Sequence, residues 1–107
     1  MSRPQRFVLT PEARADLIEI WNYIANDIAK DSIDAADQAI ARLDDAFRRL
    51  GQTPGMGHHR EDLAGSRHRF WTVYSYVVVY RWKTNPVQII AVDGARHLEA
   101  FLQQRIQ

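Results

Sequence analysis

The hydrophobic period of this chain changes once, from 3.6 to 2, across a turn-rich loop that begins Thr53-Pro54-Gly55-Met56-Gly57. That switch constrains the fold more than any other feature. A stripe at helical spacing does not sit in a sheet, and strict alternation does not build a helical face. The chain therefore divides into a helical first half and a sheet-forming second half.

In the first half, Arg6-Phe7-Val8-Leu9 reads as a short opening strand. Thr10 then offers an N-cap hydroxyl, Pro11 suits the first helical position, and Glu12 sits where the helix dipole favours an anion. Leu17, Ile20, Trp21, Ile24 and Ile28 form one helical stripe. Lys30-Asp31-Ser32 interrupts it, and Ser32 is placed to cap a second helix whose stripe is Ala36, Ile40, Leu43, Phe47 and Leu50. Gly51 falls at the expected C′ position. Asp44 with Arg48 and Asp45 with Arg49 are i,i+4 pairs on the outer face. With so short a break, the two helices are expected to form an antiparallel hairpin.

Beyond the loop, which runs on to about Gly65, alternation predicts strands over Arg67 to Thr72, Tyr76 to Trp82 and Val87 to Asp93. Breaks fall at Tyr74-Ser75 and at Lys83-Thr84-Asn85-Pro86, short enough to make an antiparallel meander. Arg96 to Gln104 has room for a short helix carrying Leu98, Phe101 and Leu102. The predicted class is α+β. An N-terminal strand, a helical hairpin, a three-stranded antiparallel meander and a short C-terminal helix make one domain over residues 1–107, with the hairpin packed on one antiparallel sheet.

Composition bounds the function. A chain of 107 residues, 46% of them apolar, is long enough for one core. The absence of cysteine excludes a disulfide framework and a thiolate metal site, and fits a reducing cytoplasm. Met1 to Arg6 is polar and basic, without the apolar run of a signal peptide, and no stretch approaches the roughly 18 apolar residues of a membrane span. A soluble cytoplasmic protein is expected, with no membrane partner. Pro11 to Leu50 holds nine acids against five bases, whereas Gly51 to Gln107 holds four acids against seven bases and all four histidines. That asymmetry fits a face for a polyanion or an acidic partner segment, and equally a solvated surface.

The candidate residues follow from these elements. Arg96-His97, just after Gly94 at the end of the last strand, is placed to meet an anion; alternatively Arg96 bonds a carbonyl or a carboxylate such as Asp93 or Glu99. Alternation puts Arg81 on one face with Val77 and Val79, as a snorkelling edge residue or as part of a recognition groove. Arg67-His68-Arg69 opens the meander as a solvated edge or as a seat for acidic residues. His58-His59 lacks the spacing and partners of a metal site, so neither metal nor cofactor is expected. Trp71, Tyr74, Tyr76, Tyr80 and Trp82 sit at strand spacing, which favours core and cross-strand pairs over base stacking.

Five segments in order resemble the ParE branch of the RelE/ParE toxin superfamily. They are Leu9-Thr10-Pro11-Glu12-Ala13; Asp16-Leu17, Ile20-Trp21 and Tyr23-Ile24-Ala25 along the same helix; Pro54-Gly55-Met56-Gly57; Tyr76-Val77-Val78-Val79-Tyr80-Arg81; and Gly94-Ala95-Arg96-His97-Leu98. The resemblance implies a bacterial toxin that traps DNA gyrase on cleaved DNA and is not itself an enzyme. It also implies a ParD-type antitoxin, whose ribbon-helix-helix binds operator DNA and whose disordered acidic C-terminal tail wraps the toxin. Operator contact would then run only through the antitoxin. On this reading Arg67, Arg69, Arg81, Arg96 and His97 are candidates for the target, and Leu17, Trp21, Ile24, Tyr76 and Arg81 for the antitoxin.

The sister RelE branch, which cleaves mRNA on the ribosome, is the alternative, with Arg96 and His97 as its catalytic candidates. Such chemistry needs a base, an acid and cations around the phosphate. The RelE lysines correspond roughly to His68 and Phe70, its arginine falls near Thr72, and Phe101 or Leu102 stands where a phenol is wanted. A non-toxic member that only binds its antitoxin is a third possibility.

Overall fold

The computed structural model describes residues 6–28, 33–94, 102, 103 and 105. The opening strand β1 is Phe7–Leu9, and the first helix α1 is Pro11–Asn22, continued by a π-helical segment over Tyr23–Ile28. The second helix α2 is Ile33–Gln52, and a 3₁₀ turn follows at Pro54–Met56. The meander comprises β2 (His68–Val73), β3 (Tyr76–Arg81) and β4 (Val87–Gly94).

Local chemistry accounts for most of these boundaries. The Thr10 hydroxyl accepts from the Ala13 amide at 3.1 Å, satisfying one of the free N–H groups at the start of α1, and Pro11 follows as N1. The α1 stripe faces inward, but the π-helical segment breaks its regular spacing. Ala25 is fully buried there, while Ile24 is only partly so. In α2, Ala36, Leu43, Phe47 and Leu50 are buried and Ile40 is half-buried. The outer pairs Arg48–Asp44 and Arg49–Asp45 form at 2.9 and 3.4 Å. Gly51 is not a C′ residue, because α2 continues to Gln52. A Cβ there would lie 2.9 Å from the Arg6 carbonyl oxygen, so the glycine gives room for the chain entering β1. The expected Ser32 cap and the Ile28 side chain lie outside the described residues.

The sheet order is β1-β4-β3-β2. Both meander pairings are antiparallel, as expected. β1, however, pairs parallel with β4 through Phe7↔Val87, Val8↔Gln88 and Leu9↔Ile89, so the sheet is mixed rather than wholly antiparallel. The two helices and the first two meander strands separate β1 from β4, and that long connection allows the parallel arrangement. Between Val79 and Tyr80 the register slips by one residue: Val79 faces Ala91 and Tyr80 faces Ile89, leaving Ile90 as the extra residue of a bulge. The β2–β3 turn is Tyr74-Ser75, with Tyr74 at φ 55°, a left-handed conformation held here by a tyrosine.

Both faces of the sheet are covered. On one, Val78, Tyr80, Val87, Ile89 and Val92 join Ala13, Ile20, Leu43, Phe47 and Leu50 in the main core. On the other, Phe70, Val77, Val79, Ile90 and Ala91 form a second cluster with Leu102, flanked by Leu63 and Ala64. This double burial explains why β3 reads Val-Val-Val rather than as clean alternation. Leu102 and Gln103 are helical, in keeping with the expected C-terminal helix, most of which lies outside the described residues. Among the described residues, no helix is long and apolar enough to cross a membrane.

Candidate functional site

The loop after α2 is organised by one buried phenol. Tyr80 Oη accepts from the Gly57 amide at 2.9 Å and donates to the Pro54 carbonyl at 2.7 Å. Burial raises the Tyr80 pKa, opposed by the Gly57 bond, so the phenol stays protonated and able to donate. Gly57 has an ordinary extended backbone; it is needed for space, since a Cβ would run into Tyr80 Oη and lie 2.9 Å from the Phe70 carbonyl oxygen. Pro54-Gly55-Met56-Gly57 is therefore shaped by Tyr80, not only by turn propensity.

Arg69 serves the same loop. Its Nη1 donates to the carbonyls of Gly55 at 3.1 Å and Gly57 at 2.6 Å, and its guanidinium lies 4.1 Å from the centre of the Trp82 ring. Arg69 is thus tied to the loop through Nη1 and to Trp82 through its guanidinium face, while its buried Nε has no hydrogen-bond partner. Arg67 and Arg81 are exposed, and Arg81 donates to Gln88 Oε1 at 3.3 Å. His68, between Arg67 and Arg69, is buried; burial, then Arg81 and Arg67, lowers its pKa, so it is held neutral. His58 stacks on Trp71 at 6.0 Å and His59 meets Trp82 edge-on at 5.8 Å. Among the described residues no group of three His, Cys, Asp or Glu side chains converges as a metal site.

His68, Phe70, Thr72 and Leu102 are the described positions set against the RelE nuclease residues above. His68 is neutral and buried, Phe70 is 4% exposed, and Leu102, 2% exposed, packs in the same cluster. The catalytic candidates Arg96 and His97, and Phe101, lie outside the described residues.

The proposed antitoxin residues divide. Leu17, Trp21, Ile24 and Tyr76 are half-buried and packed against the main core. Trp21 Nε1 also donates to Asp37 Oδ1 at 2.9 Å, tying α1 to α2. Burial raises the Tyr76 pKa, and nearby Tyr23 adds to it. The large apolar side chains presented to solvent are different ones: Ile18 at 63%, Tyr23 at 51%, Ile33 at 57% and Tyr74 at 71% exposure. The sequence reading passed over Ile18 and Ile33, whose apolar character off the core stripe is itself the signal for an outward-facing contact.

Asp16 was also passed over, beyond its place in a matching segment. Its carboxylate is buried, accepts from the Val92 amide at 3.0 Å, and pairs with Arg105 through both terminal guanidinium nitrogens at 3.0 and 3.1 Å. Arg105 Nη1 also donates to the Ile90 carbonyl at 2.8 Å. An acid next to a core stripe is the only local hint of this arrangement; the partner lies 89 residues away.

A helical pair on a mixed sheet, closed on its far face by Leu102, defines an α+β domain of the RelE/ParE type. Within that class, the family model for the ParE toxin of the type II toxin–antitoxin system, parDE, matches residues 7–98, and the chain belongs to this family. A solved structure described as the chromosomal ParDE TA system from P. aeruginosa has the same fold, with a TM-score of 0.67 at 22% identity, over 82% of this chain and 92% of that one. No curated protein matches the chain.

Proposed function

We propose that this ParE-family toxin arrests growth by inhibiting DNA gyrase in the cytoplasm, acts as one domain without catalysing a reaction, and is neutralised by a ParD-type antitoxin. Family membership supports the toxin role. The observation that favours gyrase over mRNA cleavage is the apolar cluster holding Phe70 and Leu102, at positions the resemblance sets against a RelE lysine and phenol, where cleavage chemistry would need cations and acid–base groups. The antitoxin tail is assigned to the helical hairpin, where Ile18, Tyr23 and Ile33 offer exposed apolar anchors, with its acidic residues directed to the basic second half of the chain. Arg67 and Arg81, exposed at one end of the sheet, and Arg96 with His97 are the target-facing candidates.

The test is supercoiling by purified gyrase with increasing toxin. Inhibition that is reversed by the antitoxin is expected. Unimpaired supercoiling at stoichiometric excess, with new mRNA cuts at ribosomal A sites by primer extension, would transfer the protein to the nuclease reading.

A further inference from the structure

β2 is an outer strand of the four-stranded sheet, and only part of its free edge is covered. His58 bridges to Phe70 with N–H to C=O bonds of 2.8 Å in both directions, and the His68 amide donates to the Gly65 carbonyl at 3.1 Å. The outward backbone groups of β2 therefore belong to His68, Phe70 and, by the two-residue period of a strand, Thr72. Thr72 is exposed, and its outward N–H and C=O have no partner among the described residues. If the antiparallel bridge continued, Met56 would face Thr72, but Met56 lies in the 3₁₀ turn at Pro54–Met56. That turn is held aside by Tyr80 and Arg69.

Beside the open edge, α2 and β2 leave a groove of about 680 Å³, lined by Arg42, Asp45 and Arg49 on one side and Trp71, Thr72 and Tyr74 on the other. The three arginines of α2 differ. Arg48 and Arg49 pair with Asp44 and Asp45, whereas Arg42 has no acidic partner among the described residues. Its guanidinium lies 4.9 Å from the centre of the Tyr74 ring. Tyr74 itself is mostly exposed, at a left-handed turn position that glycine or asparagine adopts at lower cost. An aromatic thus stands where neither the core nor the turn calls for one, under a cation that lacks an anion.

We propose that this edge is a docking site for an extended segment of a protein partner, which adds to β2 as a fifth strand at Thr72 and sets a carboxylate against Arg42. Thr72 offers one donor and one acceptor at strand spacing, which selects an extended chain. Trp71 and Val73, on either side of it, pack toward the helices, so the incoming residues on either side of Thr72's partner also point to α2. One of them carries the acid to Arg42, and the other an apolar side chain to Trp71. The site stands independently of the gyrase and antitoxin readings, since it uses neither Ile18, Tyr23 and Ile33 nor the target-facing arginines.

The test titrates the full chain, observed amide by amide by NMR, with the end-blocked peptide Thr-Asp-Thr-Val-Thr at millimolar concentration. Two comparison peptides carry Lys in place of Asp, or an N-methyl group on the central Thr. The first peptide should shift the amides of residues 71–74 and of the groove face of α2. It should bind roughly three- to tenfold more tightly than the Lys peptide at low salt, and Arg42→Ala should abolish that preference. Thr72→Pro removes the outward N–H without breaking a bond to β3, so it should abolish binding while the melting temperature stays within about 5 °C. Should Thr72→Pro impair folding, the N-methylated peptide decides the matter from the ligand side, and it should not bind. Binding that survives N-methylation, or that the Lys peptide matches, overturns the proposal, as does an absence of shifts at 71–74. Groove shifts produced by oligothymidylate and by no peptide would give the site to single-stranded nucleic acid and overturn it. So would sedimentation showing a dimer that Thr72→Pro dissociates, which would give the edge to a second copy of the chain.

Discussion

Replacing Tyr80 with phenylalanine removes a single oxygen and leaves two backbone groups without a partner. In the folded protein that oxygen accepts from the buried Gly57 amide at 2.9 Å and donates to the half-buried Pro54 carbonyl at 2.7 Å. A buried polar group stripped of its partner costs about 1–3 kcal/mol. Gly57 N–H should bear most of that cost, whereas Pro54 C=O is near enough to solvent to recover part of its loss by hydration. The sum is about 2–4 kcal/mol, a large share of the roughly 5–15 kcal/mol that holds a domain of this size together. Tyr80→Phe should therefore lower the melting temperature by roughly 10–20 °C. The assay is thermal and urea unfolding of the wild type and variant, followed by circular dichroism, with an unchanged urea slope showing that the unfolded state is not what moved. A loss below about 0.5 kcal/mol would refute the reasoning, since it would mean that the loop is held by its own turn propensity and by Arg69 without the phenol.

Gly57→Ala should destabilise the same loop by about 1–3 kcal/mol through overpacking against Tyr80 and the Phe70 carbonyl, not through backbone strain; unfolding midpoints check it, and Gly55→Ala, where a Cβ meets nothing, is the control. His68 has a lowered folded pKa, so on acidification the unfolded chain takes up its proton first. Its contribution to stability is full above about pH 6.5 and is lost as pH falls from there through the folded pKa. His68→Phe should remove that part of the acid sensitivity, seen as a smaller drop in urea midpoint between pH 7.5 and pH 5.5 than the wild type shows. Arg48→Ala, which breaks an exposed i,i+4 pair with Asp44, should change stability by less than about 0.5 kcal/mol in the same assay.

What the sequence made legible was local. Thr10 and Pro11 announce the start of α1 because a cap depends on neighbours three residues apart, and the Ala36-to-Leu50 stripe announces α2 because its spacing is helical. The three meander strands lie within a residue or two of their expected bounds because turn residues separate them. Features that depend on distant parts of the chain were not legible. The parallel seat of β1 beside β4 is a choice of partner between segments 80 residues apart, as in Phe7↔Val87. Tyr80 reads as one more strand aromatic until the loop at Pro54 is brought to it, and Arg69 reads as a free cation until Gly55 and Gly57 present their carbonyls. Asp16 and Arg105 carry no mutual signal in sequence. The π-helical segment after α1 also escaped, because a regular stripe presumes one uniform helix. The candidate site divides along the same line: the exposed Arg67 falls on a face that alternation leaves open, whereas the exposure of Arg81, which alternation sets beside the buried Val77 and Val79, and the burial of Leu102 against Phe70's cluster needed the tertiary structure.

The central claim is that this fold delivers a protein contact to gyrase and not a cut to RNA. It is tested most directly by incubating the purified toxin with gyrase, ATP and supercoiled plasmid, then denaturing and digesting the protein to reveal trapped enzyme–DNA intermediates. The account predicts a rise in linear DNA with toxin concentration, abolished when the antitoxin is present. A plasmid that stays intact at stoichiometric excess of folded toxin, in a preparation that arrests growth when produced in cells, would contradict it.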